Sequence, residues 1–133
     1  MIVVDASAIA DLLLDLEPRS SWVSRMLFTG APIHAPHHLD VEVLAALRRL
    51  VLRGEVDSWR ADRATGDLSE LPIVRYPFRH LNDRVWSLRH NMTPYDAAYV
   101  ALAEVLHAPL ITTDRALARS SGHRARVETL SDE

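Results

Sequence analysis

Apolar residues along this chain follow two spacings, one typical of strands and one typical of helices. Residues 2–4 are a short apolar, β-branched run that predicts a strand, and residues 6–14 have the spacing of a helix. The same succession recurs, with Gly and Pro at several of its boundaries. The further predicted strands are residues 33–35, 73–76, 109–113 and 126–130. The further predicted helices are residues 18–28, 37–53, 57–71, 79–89, 93–107 and 115–120.

Strands that alternate with helices predict a parallel sheet with helices on both faces. We therefore expect an α/β fold, a three-layer α/β/α sandwich around a central, mostly parallel sheet of four or five strands. The length of 133 residues fits a single domain over residues 1–133. In such sheets, ligands bind beyond the carboxyl ends of the strands.

Composition excludes several kinds of chemistry. The chain has no Cys, which removes thiolate nucleophiles, Cys-type zinc sites and disulfides. It also has no Lys, because all 15 basic residues are Arg, and this excludes a Walker A loop and Schiff-base catalysis. The first residues do not resemble a secretory signal, and no run is long enough to span a membrane. We expect a soluble, cytoplasmic protein.

Two acids follow predicted strands. Asp5 ends the first strand, and Asp114 follows the strand at residues 109–113, so both fall at the edge of the sheet where ligands bind. An Asp between a strand and a helix is also a favoured N-cap. Taken alone, each of the two residues is better explained as an N-cap than as a site residue.

Two further acids lie within predicted helices. Glu42 is placed between Leu39 and Ala46 on an apolar helix face, where a charge needs a partner or a metal, unless it extends to solvent. Asp96 follows Thr93 and Pro94 at the start of a helix that is apolar nearly all round, and its alternative role is that of a capping-box partner. Four acids on separate elements that converge without Cys would suit Mg²⁺ or Mn²⁺ and phosphodiester hydrolysis.

At these positions the sequence resembles the PIN-domain family, and most closely the toxins of VapBC toxin-antitoxin pairs. The opening Val3-Val4-Asp5-Ala6-Ser7 matches the family's strand that ends in Asp-x-Ser or Asp-x-Thr. The three other matching segments, which carry Glu42, Asp96 and Asp114 in the family's order, are His38-Leu39-Asp40-Val41-Glu42-Val43, Thr93-Pro94-Tyr95-Asp96-Ala97-Ala98-Tyr99-Val100-Ala101-Leu102-Ala103 and Leu110-Ile111-Thr112-Thr113-Asp114. The match covers nearly the whole chain.

The resemblance implies a ribonuclease that cuts RNA internally with Asp5, Glu42, Asp96 and Asp114 as catalytic, metal-binding residues. It also implies a homodimer and a VapB-type antitoxin that blocks the site. Some relatives carry a further acid shortly after the fourth, whereas residues 115–118 are here Arg-Ala-Leu-Ala. One or two bound ions, Mg²⁺ or Mn²⁺, therefore both remain open.

Several neighbouring residues have candidate supporting roles. Ser7 and Thr112 could orient the carboxylates or form ordinary turn bonds. Arg115 and Arg119 are candidate RNA contacts on what is otherwise a solvated basic face. His34, His37 and His38 cluster in sequence but lack the spacing of a zinc site. An apolar group around the first two helices is either core or an interaction surface; it comprises Leu12, Leu13, Leu14, Trp22, Met26, Leu27 and Phe28.

Three other functions compete with a metal-dependent ribonuclease. A ribonuclease could use a pair of His residues as acid and base without metal. A catalytically silent PIN-like module could bind RNA or a protein, although such a module has no reason to keep four mutually repelling carboxylates. A phosphatase of the Asp-x-Asp type is disfavoured because the residue two after Asp5 is Ser7.

Overall fold

The computed structural model describes residues 1–131 and contains one parallel sheet of five strands in the order β3-β2-β1-β4-β5. The strands are β1 (Ile2–Val4), β2 (Ile33–Pro36), β3 (Ile73–Tyr76), β4 (Leu110–Ile111) and β5 (Val127–Glu128). The expected α/β fold is confirmed, and the sheet is parallel throughout these residues rather than mostly parallel.

Within residues 1–131, seven helices flank the sheet. They are α1 (Ala6–Leu13), α2 (Arg19–Leu27), α3 (Leu39–Leu52), α4 (Ser58–Glu70), α5 (Asn82–Ser87), α6 (Pro94–Leu106) and α7 (Arg115–Ala118). The chain moves outward from β1 to β2 and β3, then returns across β1 to β4 and β5. Because crossovers are right-handed, this reversal puts α1 to α4 on one face and α5 and α6 on the other. Among residues 1–131, no helix is both long and apolar enough to cross a membrane.

The helix α6 forms the centre of one layer. Its residues Ala97–Ala103 are all buried, with Ala97, Ala98 and Val100 fully enclosed. A helix that is apolar on all sides has to be covered on all sides. Here α6 packs on β1, β2 and β4 and is covered in turn by α5. This packing fixes the first turn of α6 at the carboxyl edge of the sheet.

Two strands are shorter than the sequence predicts, and one predicted helix is divided in two. The strand expected at residues 109–113 is only Leu110–Ile111, and the last strand is only Val127–Glu128. Beyond Thr112 the backbone donates to side chains instead of a neighbouring strand, since the Thr113 amide donates to Ser7 Oγ at 3.2 Å. The helix expected at residues 79–89 is divided into a 3-10 turn, Phe78–Leu81, and α5.

The apolar group around α1 and α2 belongs mostly to the core. Leu14 and Leu27 are each 1% exposed, and Trp22 and Met26 are partly buried and pack against the core. Phe28 is the exception, with 54% of its surface exposed. Core packing therefore accounts for most of this group.

Candidate active site

The reversal of strand order places a switch point between β1 and β4. Open α/β sheets bind ligands at such a point, because the connections leave the two neighbouring strand ends in opposite directions and open a crevice. Asp5 directly follows β1, and its amide donates to the Ile111 carbonyl of β4 at 3.3 Å. Asp114 lies three residues beyond the end of β4. Both acids therefore stand at the crevice.

A cavity of about 210 Å³ at this point is lined by all four acids predicted from the sequence. Asp5 and Asp114 reach it from the strand ends, Glu42 from the first turn of α3 and Asp96 from the first turn of α6. The other lining residues are Ala6, Ser7, Ala45, Ala46, Arg49 and Tyr99. Four segments far apart in sequence thus supply carboxylates to one cavity.

Asp5 is the most buried of these carboxylates, with 4% of its surface exposed. Its Oδ1 accepts hydrogen bonds from Ser7 Oγ at 2.8 Å and from the Ala8 amide at 3.0 Å. Its Oδ2 accepts one from Thr112 Oγ1. Burial raises the pKa of Asp5 to about 7, although the three hydrogen bonds oppose this shift. A cation in the cavity would relieve the cost of keeping the ionised carboxylate buried.

Two hydroxyl groups join the ends of β1 and β4 around Asp5. The hydroxyl of Thr112, which is fully buried, donates to Asp5 and accepts from the Asp114 amide at 3.0 Å. The hydroxyl of Ser7 donates to Asp5 and accepts from the Thr113 amide. The two residues therefore contact the carboxylate directly and also fix the backbone that leads to Asp114.

Glu42 is held by two aromatic side chains. Its Oε1 accepts a 2.7 Å hydrogen bond from the Tyr99 hydroxyl and lies 3.0 Å from His38 Nε2. The same nitrogen is 3.1 Å from the Tyr95 carbonyl oxygen, and since both neighbours are acceptors, Nε2 carries a proton. Burial acts to raise the pKa of Glu42, but the hydrogen bonds from His38 and Tyr99 outweigh it and the net shift is downward. Glu42 is thus held as an anion.

Asp96 occupies the third position of α6. Its amide donates to Thr93 Oγ1 at 3.2 Å, which forms the Thr half of a capping interaction, while its carboxylate lines the cavity. The pKa of Asp96 is raised, first by burial and then by the negative charges of Asp114 and Glu42. The carboxylates are therefore close enough to repel one another.

Asp5 and Asp114 each cap a helix and also line the cavity. Asp114 Oδ1 accepts from the Ala116 and Leu117 amides at 2.9 and 3.3 Å, which caps α7. Asp5 caps α1 in the same way through the Ala8 amide. In both cases the cap bonds hold a carboxylate that also lines the cavity. Capping is therefore part of how the fold orients these acids.

The donor set fits a hard divalent cation. Carboxylate oxygens are the ligands that Mg²⁺ and Mn²⁺ prefer, and a cation would offset the burial, and the smaller charge repulsion, that raise the pKa values of Asp5 and Asp96. Within residues 1–131, no three His, Asp or Glu side chains already stand as a ready-made group of metal ligands. Metal binding would therefore draw the carboxylates closer together.

The three clustered histidines do not form a zinc site. His34 is buried in β2, where its Nδ1 lies 2.8 Å from the Tyr76 hydroxyl, and its Nε2 has no hydrogen-bond partner among the described residues. His38 contacts Glu42 instead, and His37 is exposed. The sequence cluster is therefore divided between the core and the acidic cavity.

Three residues around the cavity have roles that were not predicted from the sequence. Tyr99 and His38 hold Glu42, and Arg49 is the one basic residue among those that line the cavity. Helical spacing could have found His38, which is four residues before Glu42, and Tyr99, which is three after Asp96; Arg49 is seven after Glu42. That spacing alone does not separate Arg49 from the other arginines of α3.

The two arginines predicted to contact RNA lie outside the cavity. Arg115 and Arg119 are exposed residues at the beginning and the C-terminal cap of α7. Arg115 lines a separate depression of about 260 Å³ together with Arg19 and Thr113. Both arginines are thus near Asp114 in sequence without lining the cavity itself.

Comparison with known proteins relates the chain to one family. The sequence model of the PIN-domain family matches residues 2–122 of this chain. Ribonuclease VapC12 of Mycobacterium tuberculosis is 42% identical over 131 residues, which cover 98% of this chain and 100% of that protein. Ribonuclease VapC1 of the same organism is 46% identical over 121 residues, or 90% of each chain.

Solved structures share the same fold. The chain superposes with a TM-score of 0.68 on M. tuberculosis VapC20, a sarcin-ricin loop cleaving toxin, at 18% identity over 89% of this chain and 93% of that one. VapBC2 of Rickettsia felis, bound to a DNA fragment from its promoter, gives a TM-score of 0.67 at 12% identity over 98% and 100% of the two chains.

Proposed function

This chain belongs to the PIN-domain family and, within it, to the VapC ribonucleases, and on that basis we propose that its acidic cavity hydrolyses RNA phosphodiester bonds with one or two divalent cations, Mg²⁺ or Mn²⁺. The protein is an endoribonuclease, the toxin component of a type II toxin-antitoxin module. The observation that carries the proposal is the cavity of about 210 Å³ into which four carboxylates project from four elements.

In this function Asp5, Glu42, Asp96 and Asp114 hold the metal. A bound divalent cation polarises the phosphate and lowers the pKa of the attacking water. Asp5 is kept in position by three hydrogen bonds, and Glu42 is kept ionised by the hydrogen bonds that it accepts from α6 and its own helix. These contacts hold two carboxylates ready before substrate arrives, which lowers the cost of assembling the site.

Arginines would bring the RNA backbone to the acids. Arg49 lines the cavity, so its guanidinium is the best placed to meet the phosphate that is cut. Arg115 and Arg119 would contact phosphates farther along the strand, because they are exposed beside Asp114 but outside the cavity. Such contacts orient the chain of phosphates without selecting a sequence.

The module also requires a partner that restrains the toxin. We propose a VapB-type antitoxin that covers the acidic cavity, a homodimer of this chain, and action in the cytoplasm, where the RNA substrate is found. The support is the family and the VapBC2 complex that shares the fold. Co-expression with the small open reading frame beside the gene, followed by size-exclusion chromatography with light scattering, tests the first two.

A cleavage assay tests the catalytic proposal. End-labelled single-stranded RNA should be cut by the purified protein in Mn²⁺ or Mg²⁺ and left intact with excess chelator. Asp96→Asn should lose most activity while staying folded, whereas Asp62→Asn on the exposed side of α4 should keep it. Cleavage that survives chelation would favour catalysis by histidine, and binding of RNA without cleavage under any metal would favour the silent module.

A further inference from the structure

An apolar groove lies beside the acidic cavity. It has a volume of about 310 Å³ and is lined by His38, Phe78, Pro94 and Tyr95. Two of these residues are exposed aromatics, with 38% of Phe78 and 62% of Tyr95 open to solvent. Three of the four lining residues, His38, Phe78 and Tyr95, carry flat aromatic rings.

The groove and the cavity share a wall. The Nε2 atom of His38 lies 3.0 Å from Glu42 in the cavity and 3.1 Å from the carbonyl of Tyr95 in the groove. The ring centroids of His38 and Tyr95 are 6.2 Å apart. Tyr95 also immediately precedes Asp96, so neighbouring residues of α6 face the two compartments. A molecule in the groove is thus within one nucleotide's reach of the acids.

We propose that this groove binds one nucleobase of a single-stranded RNA, the base next to the phosphodiester that is cut; the proposal rests on the ribonuclease function given above. Aromatic side chains bind unpaired bases by stacking, a contact that any base can make. The volume is at the lower end of ligand pockets, which suits one ring system rather than a duplex or a helix of a partner.

The continuity of the groove with the acids favours a nucleobase over an apolar peptide. A peptide side chain would need no acidic cavity beside it, whereas each RNA nucleotide joins an apolar base to a charged phosphate. The charged part would be met in the cavity by Arg49 and the bound cation, and the base would fill the groove. Bases already stacked in a duplex cannot enter, so the groove selects unpaired nucleotides.

Binding is measured first, with a short single-stranded RNA that carries a fluorescent adenine analogue whose emission is quenched by stacking. The analogue is moved one position at a time in the presence of Ca²⁺. We expect quenching at one position, weakened on the order of tenfold in affinity by Tyr95→Ala and by Phe78→Ala, and kept by Tyr95→Phe. Trp59→Ala, which removes an exposed ring from α4, is the matched control and should change nothing.

Cleavage kinetics in Mn²⁺ give the second arm. An abasic ribose at the quenched position should lower kcat/KM about tenfold in the wild type and little in Tyr95→Ala, since the two changes remove the same contact. A uniform effect of abasic positions, or equal quenching in Tyr95→Ala, would overturn the proposal while ribonuclease activity stands. Position-specific quenching by a protein that cuts no RNA would support binding of a base in the groove and reject the catalytic function. Loss of dimer or antitoxin binding in Tyr95→Ala, with RNA contacts unchanged, would assign the groove to a protein instead.

Discussion

The hydroxyl of Tyr99 donates a 2.7 Å hydrogen bond to Glu42, a residue 57 positions away in the chain. Tyr99 lies on the buried helix α6 and is itself 1% exposed, so its ring cannot move without disturbing the core. Burial raises the pKa of Tyr99 above its ordinary value, and the hydroxyl therefore stays protonated and remains a donor. The core thus orients a carboxylate of the cavity through a rigid side chain.

Tyr99→Phe keeps the ring and removes the hydroxyl, which donates to Glu42 and also accepts from the Ala6 amide. The free energy of unfolding at pH 7 should fall by about 1.5–3 kcal/mol, the usual range for a hydrogen bond to a charged group. The pKa of Glu42 should rise, because one of the two bonds that lower it is lost. Denaturant titrations measure the loss of stability, and a pH-activity profile measures the rise in the pKa of Glu42.

The sign of the pH dependence follows from the lowered pKa of Glu42. Ionised Glu42 contributes stability above its unfolded pKa of 4.5, and this contribution is lost as the pH falls through the lower, folded value. The difference between wild type and Tyr99→Phe should therefore shrink below pH 4.5. Tyr95→Phe, on the exposed neighbouring turn, should show no such pH-dependent difference. A constant difference at every pH would indicate lost packing instead of a lost bond to the carboxylate.

Asp5→Asn should make the metal-free protein more stable at neutral pH while abolishing most RNA cleavage. The folded pKa of about 7 lies above the unfolded value of 3.8, so the wild type loses stability as the pH rises between these values. Asn keeps an acceptor for the Ala8 amide but carries no charge. In denaturant titrations without metal at pH 4, 6 and 8, the free energy of unfolding of the variant should exceed that of the wild type only toward the higher pH.

The matched control is Asp57→Asn at the exposed N-cap of α4, which should give the same difference at each pH. Addition of Mn²⁺ should reverse the order of stability, since only the wild type keeps the full set of carboxylates. An Asp5→Asn variant that is equally destabilised at all three pH values would contradict the prediction that Asp5 is buried and partly protonated in the wild type.

Much of the candidate site could be predicted from the sequence, because each acid lies near the predicted start or end of a helix or strand. Asp5 ends a β-branched run, and Asp96 follows Thr93-Pro94, a strong helix start. The strand order could not be predicted, because no local sequence pattern indicates that β4 pairs with β1. Arg49 was not visible either, because an exposed helical arginine resembles Arg48 and Arg53 until α3 is docked on the sheet. The short β4 reflects tertiary bonds from the Thr113 amide, which no strand propensity encodes.

Thr112→Val should weaken metal binding at neutral pH. The hydroxyl donates to Asp5 and so lowers that residue's pKa, and without it the pKa should rise further above 7. More of the carboxylate would then be protonated at pH 7, and a proton must leave before metal binds. Titration calorimetry with Mn²⁺ should show a loss of affinity that narrows toward pH 9.

The same substitution leaves the Asp114 amide without its acceptor, which should cost about 1–3 kcal/mol of stability. Thr112→Ser keeps the hydroxyl and should restore both metal affinity and most of the stability. Weak metal binding in Thr112→Ser, or a loss of affinity in Thr112→Val that stays equal at every pH, would show that shape rather than the hydrogen bond matters at this position.

Arg49→Gln should reduce RNA cleavage by lowering affinity for the phosphate at the cavity. Arg49 is the one basic residue lining that cavity among the described residues, so its charge is lost where the substrate phosphate must approach four carboxylates. Removing one phosphate contact should reduce the slope of log affinity against log salt by about 1. Filter binding over a salt series measures this slope for Arg49→Gln. The control is Arg48→Gln, which changes an exposed arginine one position earlier on α3. Equal slopes for the two variants would mean that Arg49 contributes only to the general charge of the surface.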